Sequence, residues 1–326
     1  MILVTGSAGR IGSALVAALL ARGERVRGFD LRSNGLVHSE YSEVVGAFEA
    51  PGAARAAVKD TEAVFHLGAF MSWLAADTDT LFRANVEGTR HLLEAMQAQG
   101  VARLIFASSG EVYPENAPEF QPVTEDHPTR PRSQYGLTKL LGEELVAFYS
   151  RAYELKTTIL RFSHTQNARE LLDQNSFFSG PRFFLQSRIR QQETFGNAAA
   201  VRALKAVDDG NEALVLARNE NGRAFKMHIT DTRDMVVGLL VAYESQATIG
   251  ETYNLGATEP VAIDLALPMM AQATGLPLRV VDLTGAGVFY ETSNRKFRDA
   301  TGFVPQWPFE RMIAEATKTW MTRRKS

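Results

Sequence analysis

The chain contains no cysteine. Disulfides, thiolate nucleophiles and cysteine-ligated zinc are therefore excluded, and no metal site is expected. No apolar stretch reaches membrane-spanning length without a charge or a glycine breaking it. Neither sign of charge dominates: 35 Lys and Arg stand against 37 Asp and Glu. That balance leaves no basic footprint for nucleic acid or an anionic membrane. Met1 opens directly into an apolar run, which leaves no room for a signal peptide, so the cytoplasm is the expected compartment. Internal repeats and low-complexity tracts are also lacking, and 326 residues suffice for one large or two interleaved domains.

What is present starts at the first residue. Met1 to Thr5 reads as a short strand, and Ile11, Ala14, Leu15, Ala18 and Leu19 recur at helical spacing. TGSAGRIG lies between them as a turn from strand to helix. Gly6 and Gly9 let the backbone approach a pyrophosphate, and Gly12 lets the helix pack close to the strand. Gly6, Ala8, Gly9, Arg10, Ile11 and Gly12 are thus expected to bind a dinucleotide. A second apolar strand, Arg25 to Phe29, ends at Asp30, where a carboxylate meets the adenosine ribose hydroxyls and repels a 2′-phosphate. NAD is therefore expected rather than NADP, even with Arg32 nearby.

YGLTK places Tyr135 and Lys139 four apart, on one face of a helix. A cation beside the ring is expected to lower the phenol pKa toward working pH and make it a usable acid or base. Ser109 ends the apolar strand that begins at Leu104, where open α/β sheets hold their ligands. Its hydroxyl can hold the oxygen that Tyr135 titrates.

Strands near Arg25, Tyr41, Ala63, Leu104 and Thr157 alternate with helices near Gly12, Gly52, Leu81 and Gln134. This rhythm predicts an α/β fold of the Rossmann type, a doubly wound parallel sheet with helices on both faces; a smaller C-terminal substrate lobe is what the chain's resemblance to a known family implies. The NAD-binding domain is expected over residues 1–165, joined by later strands near 225–235 and 251–256. The lobe is expected over 166–224 and 257–326. Within it, Arg182, Arg188 and Arg190 either grip a phosphate or carboxylate or line a solvated helix face. Phe177, Phe178, Phe183 and Phe184 either stack on a ligand or pack a core. His164 either contacts a ligand or is a satisfied structural histidine, and His66 reads as structural.

These landmarks resemble the extended short-chain dehydrogenase/reductase family, the NAD-dependent sugar epimerases and dehydratases typified by UDP-galactose 4-epimerase. The likeness runs through TGSAGRIG, Asp30, HLGA at His66, NVEGT at Asn85, SSGEVY at Ser108, YGLTK, LRF at Leu160, MHITD at Met227 and YNLG at Tyr253. It implies catalytic roles for Ser109, Tyr135 and Lys139. It also implies cofactor contacts from Leu67, Gly68, Ala69, Asn85, Tyr135, Lys139 and Phe162. Glu111 stands where dehydratases carry a proton-abstracting glutamate, but its neighbour Gly110 replaces the usual acid or hydroxyl. Ser109, Gly110, His164, Arg182, Arg188 and Arg223 are candidate substrate contacts. Arg223 would be a displaced member of an incomplete phosphate clamp. The resemblance implies a sugar or nucleotide-sugar substrate, oxidised to a transient ketone that is epimerised or dehydrated before hydride returns. A dehydrogenase releasing an oxidised sugar, sugar acid or lactone is the alternative, and a non-catalytic dinucleotide-binding protein the third reading. Broad apolar faces on the helices near Leu81 and Gln134 predict a homodimer.

Overall fold

The computed structural model describes residues 1–285 and 289–323. In chain order the strands and helices are β1 (Ile2–Thr5), α1 (Arg10–Ala21), β2 (Val26–Asp30), β3 (Tyr41–Val45), α2 (Pro51–Val58), β4 (Ala63–His66), α3 (Thr78–Phe82), α4 (Gly88–Gln99), β5 (Arg103–Ser109), α5 (Gln134–Tyr153) and β6 (Lys156–Phe162). The chain continues through β7 (His164–Gln166), α6 (Ser179–Phe183), α7 (Leu185–Thr194), α8 (Ala198–Lys205), β8 (Leu214–Arg218), β9 (Lys226–Met227), β10 (Ile229–Asp231) and α9 (Thr232–Glu244). It ends with β11 (Thr252–Leu255), β12 (Val261–Ala262), α10 (Ile263–Thr274), β13 (Leu278–Asp282), α11 (Arg295–Thr301) and α12 (Phe309–Arg323).

Among the described residues the main sheet has seven parallel strands in the order β11-β6-β5-β4-β1-β2-β3. Strand order reverses beside β1: the chain runs outward to β3, then crosses back to lay β4 on the other side. Such a switch point opens a crevice at the strands' carboxyl ends, where α/β sheets bind ligands. Alternating side chains divide the core between two faces. Ile2, Val4 and Ile105 meet Leu15 and Leu19 of α1 and Leu239 of α9 on one face, whereas Leu3, Val64 and Leu104 meet Ala57, Leu93 and Val146 on the other. Each such aliphatic burial contributes about 1.5–3 kcal/mol, which fixes the strand ends that carry the site.

The second region has its own core, built by Leu171, Phe183, Phe184, Leu214, Ile263, Met270 and Met312. Phe183 and Phe184 are fully buried there, so these two aromatic residues pack rather than bind. One sequence expectation needs correction. The segment near 225–235 does not join the main sheet: β10 pairs with β7 and β9 with β12, while β11 alone extends β6. The reason lies in the chain after Phe162, which turns at Ser163 and resumes as β7, giving β10 a closer partner.

Candidate active site

The cofactor crevice is made by backbone that tolerates no side chain. Gly6 has φ +68°, the left-handed region, and a Cβ on Gly12 would lie 2.0 Å from the Gly6 carbonyl oxygen. Glycine at both positions lets α1 start tight against β1, aiming its first N–H groups into the crevice. Asp30 ends β2 beside this turn. Its carboxylate accepts from the Ala8 N–H at 3.1 Å and from the Arg32 N–H at 3.3 Å, so the acid is already oriented. Beneath the turn, the Thr5 hydroxyl accepts from the Gly68 N–H and contacts His66 Nδ1, and His66 Nε2 meets Thr89. Burial, then the Lys139 charge, lowers the His66 pKa to about 3. The ring is neutral and holds β1 to β4.

Ser109 closes β5, and its Oγ accepts from the Glu111 N–H at 3.1 Å. Ser133 caps α5 by accepting from Gly136 N–H, and its own hydroxyl donates to Glu111 at 2.5 Å. A Cβ on Gly136 would lie 2.3 Å from the Glu111 carbonyl oxygen. The start of α5 is therefore pressed onto the loop after β5, which sets Tyr135 beside Ser109. Lys139 follows one turn later, its Nζ 4.6 Å from the centre of the Phe106 ring. Burial lowers its pKa to about 8, against the raising effect of Glu143. For Tyr135 the expected lowering is overturned. Burial raises its pKa and the Glu111 charge raises it further, while the Ser109 hydroxyl is the lowering contact.

A buried network fixes these strand ends from below. Arg161 of β6 pairs with Glu143 of α5 at 2.7 Å and donates to the Tyr113 hydroxyl at 2.7 Å, which donates to Asn254 of β11 at 2.9 Å. Ser108 donates to Glu143 as well. Asn85 is equally committed: its amide brackets both backbone groups of Phe70 and donates to Thr138 of α5. It sits in a π-helical turn, Arg83–Glu87, which widens the helix to admit those contacts.

The crevice and the Tyr135 cluster open into one cavity of about 250 Å³. Gly6, Gly9, Arg10, Ile11, Gly12, Leu67, Ala69, Ser109, Glu111, Tyr135, Lys139, Phe162 and His164 line it. Ala8, Asp30, Gly68 and Asn85 do not line it, and Gly110 is buried with its carbonyl facing the Tyr290 hydroxyl. Arg182 and Arg188 line an adjoining cavity of about 270 Å³ that shares Trp73 and Phe178 with the first. Burial lowers both arginines to about 10. Arg182 donates to His164 Nδ1 at 3.3 Å, and burial, then the charge of Arg182, lowers His164 to about 3. Arg190 turns outward to Ser187, and Arg223 lies remote from the cavity, its guanidinium 3.1 Å above the Phe289 ring. Arg223 is exposed at the end of a turn closed by its N–H donating to Asn219 Oδ1.

Sequence reasoning missed two wall residues, Trp73 and Glu115, and left Phe178 open between stacking on a ligand and packing a core. Trp73 donates from Nε1 to both Glu111 oxygens at 3.2 Å and stacks on Phe177 at 6.3 Å. Phe178 lies under the Arg10 guanidinium, which also pairs with Glu170 at 2.6 Å. Glu115 faces the cavity, and burial, then the Glu111 charge, raises it to about 8. Trp73 and Glu115 lie in loops, where no periodicity marks an inward side chain.

The model of the NAD dependent epimerase/dehydratase family matches residues 2–256, and the chain belongs to that family. A UDP-glucose 4-epimerase of Mycolicibacterium smegmatis is 32% identical over 252 residues, 72% of this chain and 79% of the relative. The D-erythronate dehydrogenase of Cupriavidus necator is 35% identical over 175 residues, 49% of this chain and 53% of the relative. A crystal structure of a short-chain dehydrogenase/reductase superfamily protein from Agrobacterium tumefaciens with bound NAD is 58% identical, with a TM-score of 0.96, and 99% of this chain and 98% of that one are covered. The protein is thus an NAD-dependent, sugar-modifying enzyme of the epimerase/dehydratase type. Among the described residues no helix is long and apolar enough to cross a membrane.

Proposed function

We propose that the protein is a dehydrogenase that oxidises a secondary hydroxyl of a small free sugar or sugar acid and releases the product with NADH. The carrying observation is the state of Glu111. A dehydratase needs a carboxylate free to remove the proton beside the transient ketone, but Trp73 and Ser133 occupy both Glu111 oxygens. Epimerisation requires the ketone to turn its other face to the same nicotinamide. Tyr135, Trp73 and Phe178 wall the space in which the ring would have to turn.

NAD supplies the hydride acceptor, held by the glycine turn and by Asp30. In our reading the positive charge of bound oxidised nicotinamide, added to that of Lys139, would offset the burial that raises the Tyr135 pKa. Tyr135 then takes the hydroxyl proton while the same carbon gives up hydride, so the substrate loses two hydrogens in all. Ser109 holds the substrate oxygen, and the Lys139 ammonium favours the phenolate. Glu111 is a positioning residue that ties Trp73 to the start of α5. The test is incubation with NAD and D-erythronate, D-glucuronate or UDP-glucose. Accumulating NADH with either acid supports the reading; conversion of UDP-glucose to its epimer without net NADH overturns it.

One feature favours a second reading, epimerisation of a nucleotide-sugar. The adjoining cavity, with Arg182, Arg188, Phe195 and Phe225 in its walls, has the cations and aromatic surface that a nucleoside diphosphate would need.

We also propose a homodimer built on α5 and its neighbour α4. Leu137 and Phe148 remain 36% and 48% exposed, with half-buried Leu141 and Leu145 between them on one flank. Such a stripe wants a second copy. Light scattering at micromolar concentration should give twice the chain mass, and Leu137→Glu with Phe148→Glu should halve it.

A further inference from the structure

Every other carboxylate around the site has a partner. Glu111 accepts from Trp73 and Ser133, Glu143 pairs with Arg161, Glu170 pairs with Arg10, and Glu125 accepts from the Asn254 N–H. Glu115 differs. Its backbone N–H donates to the Tyr113 carbonyl, yet among the described residues its carboxyl makes no hydrogen bond or ion pair. It lines the same cavity as Ser109, Tyr135 and His164, and a Cβ on Gly110 would lie 3.7 Å from its Oε1. A partly buried carboxyl left unpaired costs stability, and such a cost persists where a ligand supplies the missing partner.

We propose that Glu115 is a substrate-contacting residue: its carboxyl donates a hydrogen bond to an acceptor oxygen of the substrate beside the reacting carbon, with Arg182 supplying positive charge behind it. The proposal rests on the reading of this cavity as a sugar or sugar-acid site. The groups facing Glu115 are Glu111 on its own loop, Arg182 of α6, Tyr290, His164 of β7 and Tyr135 of α5. His164 is neutral, and burial holds Tyr290 and Tyr135 in their neutral forms. Burial and the charge of Glu111 then outweigh the attraction of Arg182 and hold the Glu115 proton up to about pH 8. At neutral pH it is a carboxylic acid able to donate, as carboxyls in apolar sites can. Above that pH it becomes an anion that repels an anionic substrate.

The experiment is calorimetric binding of D-erythronate, D-glucuronate and UDP-glucose to the NADH-loaded enzyme, from about pH 6 to about pH 10. Wild type should bind at least one acid, with affinity falling as pH rises through about 8. Glu115→Gln keeps a donor and loses the titration, so its affinity should stay within about threefold of wild type at neutral pH and lose the part of that fall due to Glu115, keeping only the part that follows Lys139. Glu115→Leu should bind at least about tenfold more weakly. NADH affinity, measured in parallel, reports that both variants are folded. Equal binding by Glu115→Leu and wild type, an unaltered pH dependence in Glu115→Gln, or binding of none of the three by wild type would each overturn the proposal. Failure of the dehydrogenase reading looks different: UDP-glucose is then epimerised without NADH, while the Glu115 comparison can still be made on that compound.

Discussion

The two regions that meet over the cavity are made specific in different ways. The nucleotide half uses backbone: the positive φ of Gly6, the missing Cβ of Gly12 and the strand ends of a parallel sheet shape the crevice. The lobe and its facing loops use side chains drawn from distant segments, such as Phe178, Arg182, Trp73 and Glu115. A backbone device serves any enzyme that holds the same cofactor. A side-chain device can be particular to one substrate, so on the reading proposed above chemistry and cofactor belong to the first region and selectivity to the second.

The largest effect should come from breaking the first region at its reacting atom. Tyr135→Phe keeps ring and packing but removes the ionisable oxygen, so kcat should fall on the order of 10³-fold while NAD affinity changes by less than about twofold. Near-normal turnover on the true substrate would end the role assigned to Tyr135. The neighbouring Lys139 gives this prediction a pH signature. Its ammonium titrates at about 8 rather than the usual 10.5, so kcat should decline as pH rises through about 8. Instability through this lysine is not the cause. Between about 8 and 10.5 the unfolded chain binds more protons at that position, so its contribution to stability rises with pH there. Glu115 has the opposite sign: between 4.5 and about 8 the folded state holds the extra proton, and its contribution falls as pH rises.

Next in size is the support beneath both regions. Glu143→Ala leaves Arg161 charged, buried and without its carboxylate, which should destabilise the fold by about 3–5 kcal/mol. Glu143→Ala with Arg161→Met removes both charges and should restore much of that loss. Denaturant midpoints decide the matter, and a double variant no better than the single one would show that the pair does more than balance charge.

How legible each half is in the sequence follows from the same contrast. TGSAGRIG, Asp30, Ser109 and the Tyr135 to Lys139 spacing were readable because each is local, a turn or one helical face that means the same thing wherever it occurs. The sheet was readable up to Phe162 from its alternating rhythm. Beyond it, Ser163 turns the chain into β7, so β10 found that partner instead of the sheet, and no propensity marks such a turn. Glu115 and Trp73 reach the cavity from irregular loops, and Arg10 meets Glu170 across 160 positions. Arg10 was expected as a cofactor contact from its place in the turn, yet its guanidinium points toward the lobe.

A smaller effect tests the cofactor end of the comparison. Asp30 is held by the Ala8 and Arg32 N–H groups, at the place where ribose hydroxyls would add further donors. Asp30→Ala should weaken NAD by about tenfold and NADP much less, because only the former loses charge-assisted bonds and only the latter escapes repulsion. Calorimetry with both dinucleotides measures the ratio. An unchanged preference would move discrimination elsewhere in the crevice.

The smallest expected effect probes the junction itself. Arg10 rises from the first turn of α1, pairs with Glu170 and lies over the Phe178 ring at 4.9 Å, so one side chain joins the cofactor turn to the lobe. The pair is partly exposed, which limits its worth to about 1 kcal/mol, but the ring contact adds a comparable share. Arg10→Ala should therefore loosen the lobe without unfolding either half. NAD should leave several-fold faster, and KM for the substrate should rise by a similar factor with kcat nearly unchanged, because the reacting groups stay on the sheet. Glu170→Gln should reproduce the part of this due to charge, and that part should shrink in high salt. If cofactor release is unaltered while KM rises, the junction serves the substrate alone, and the division between the two regions is sharper than the contact implies.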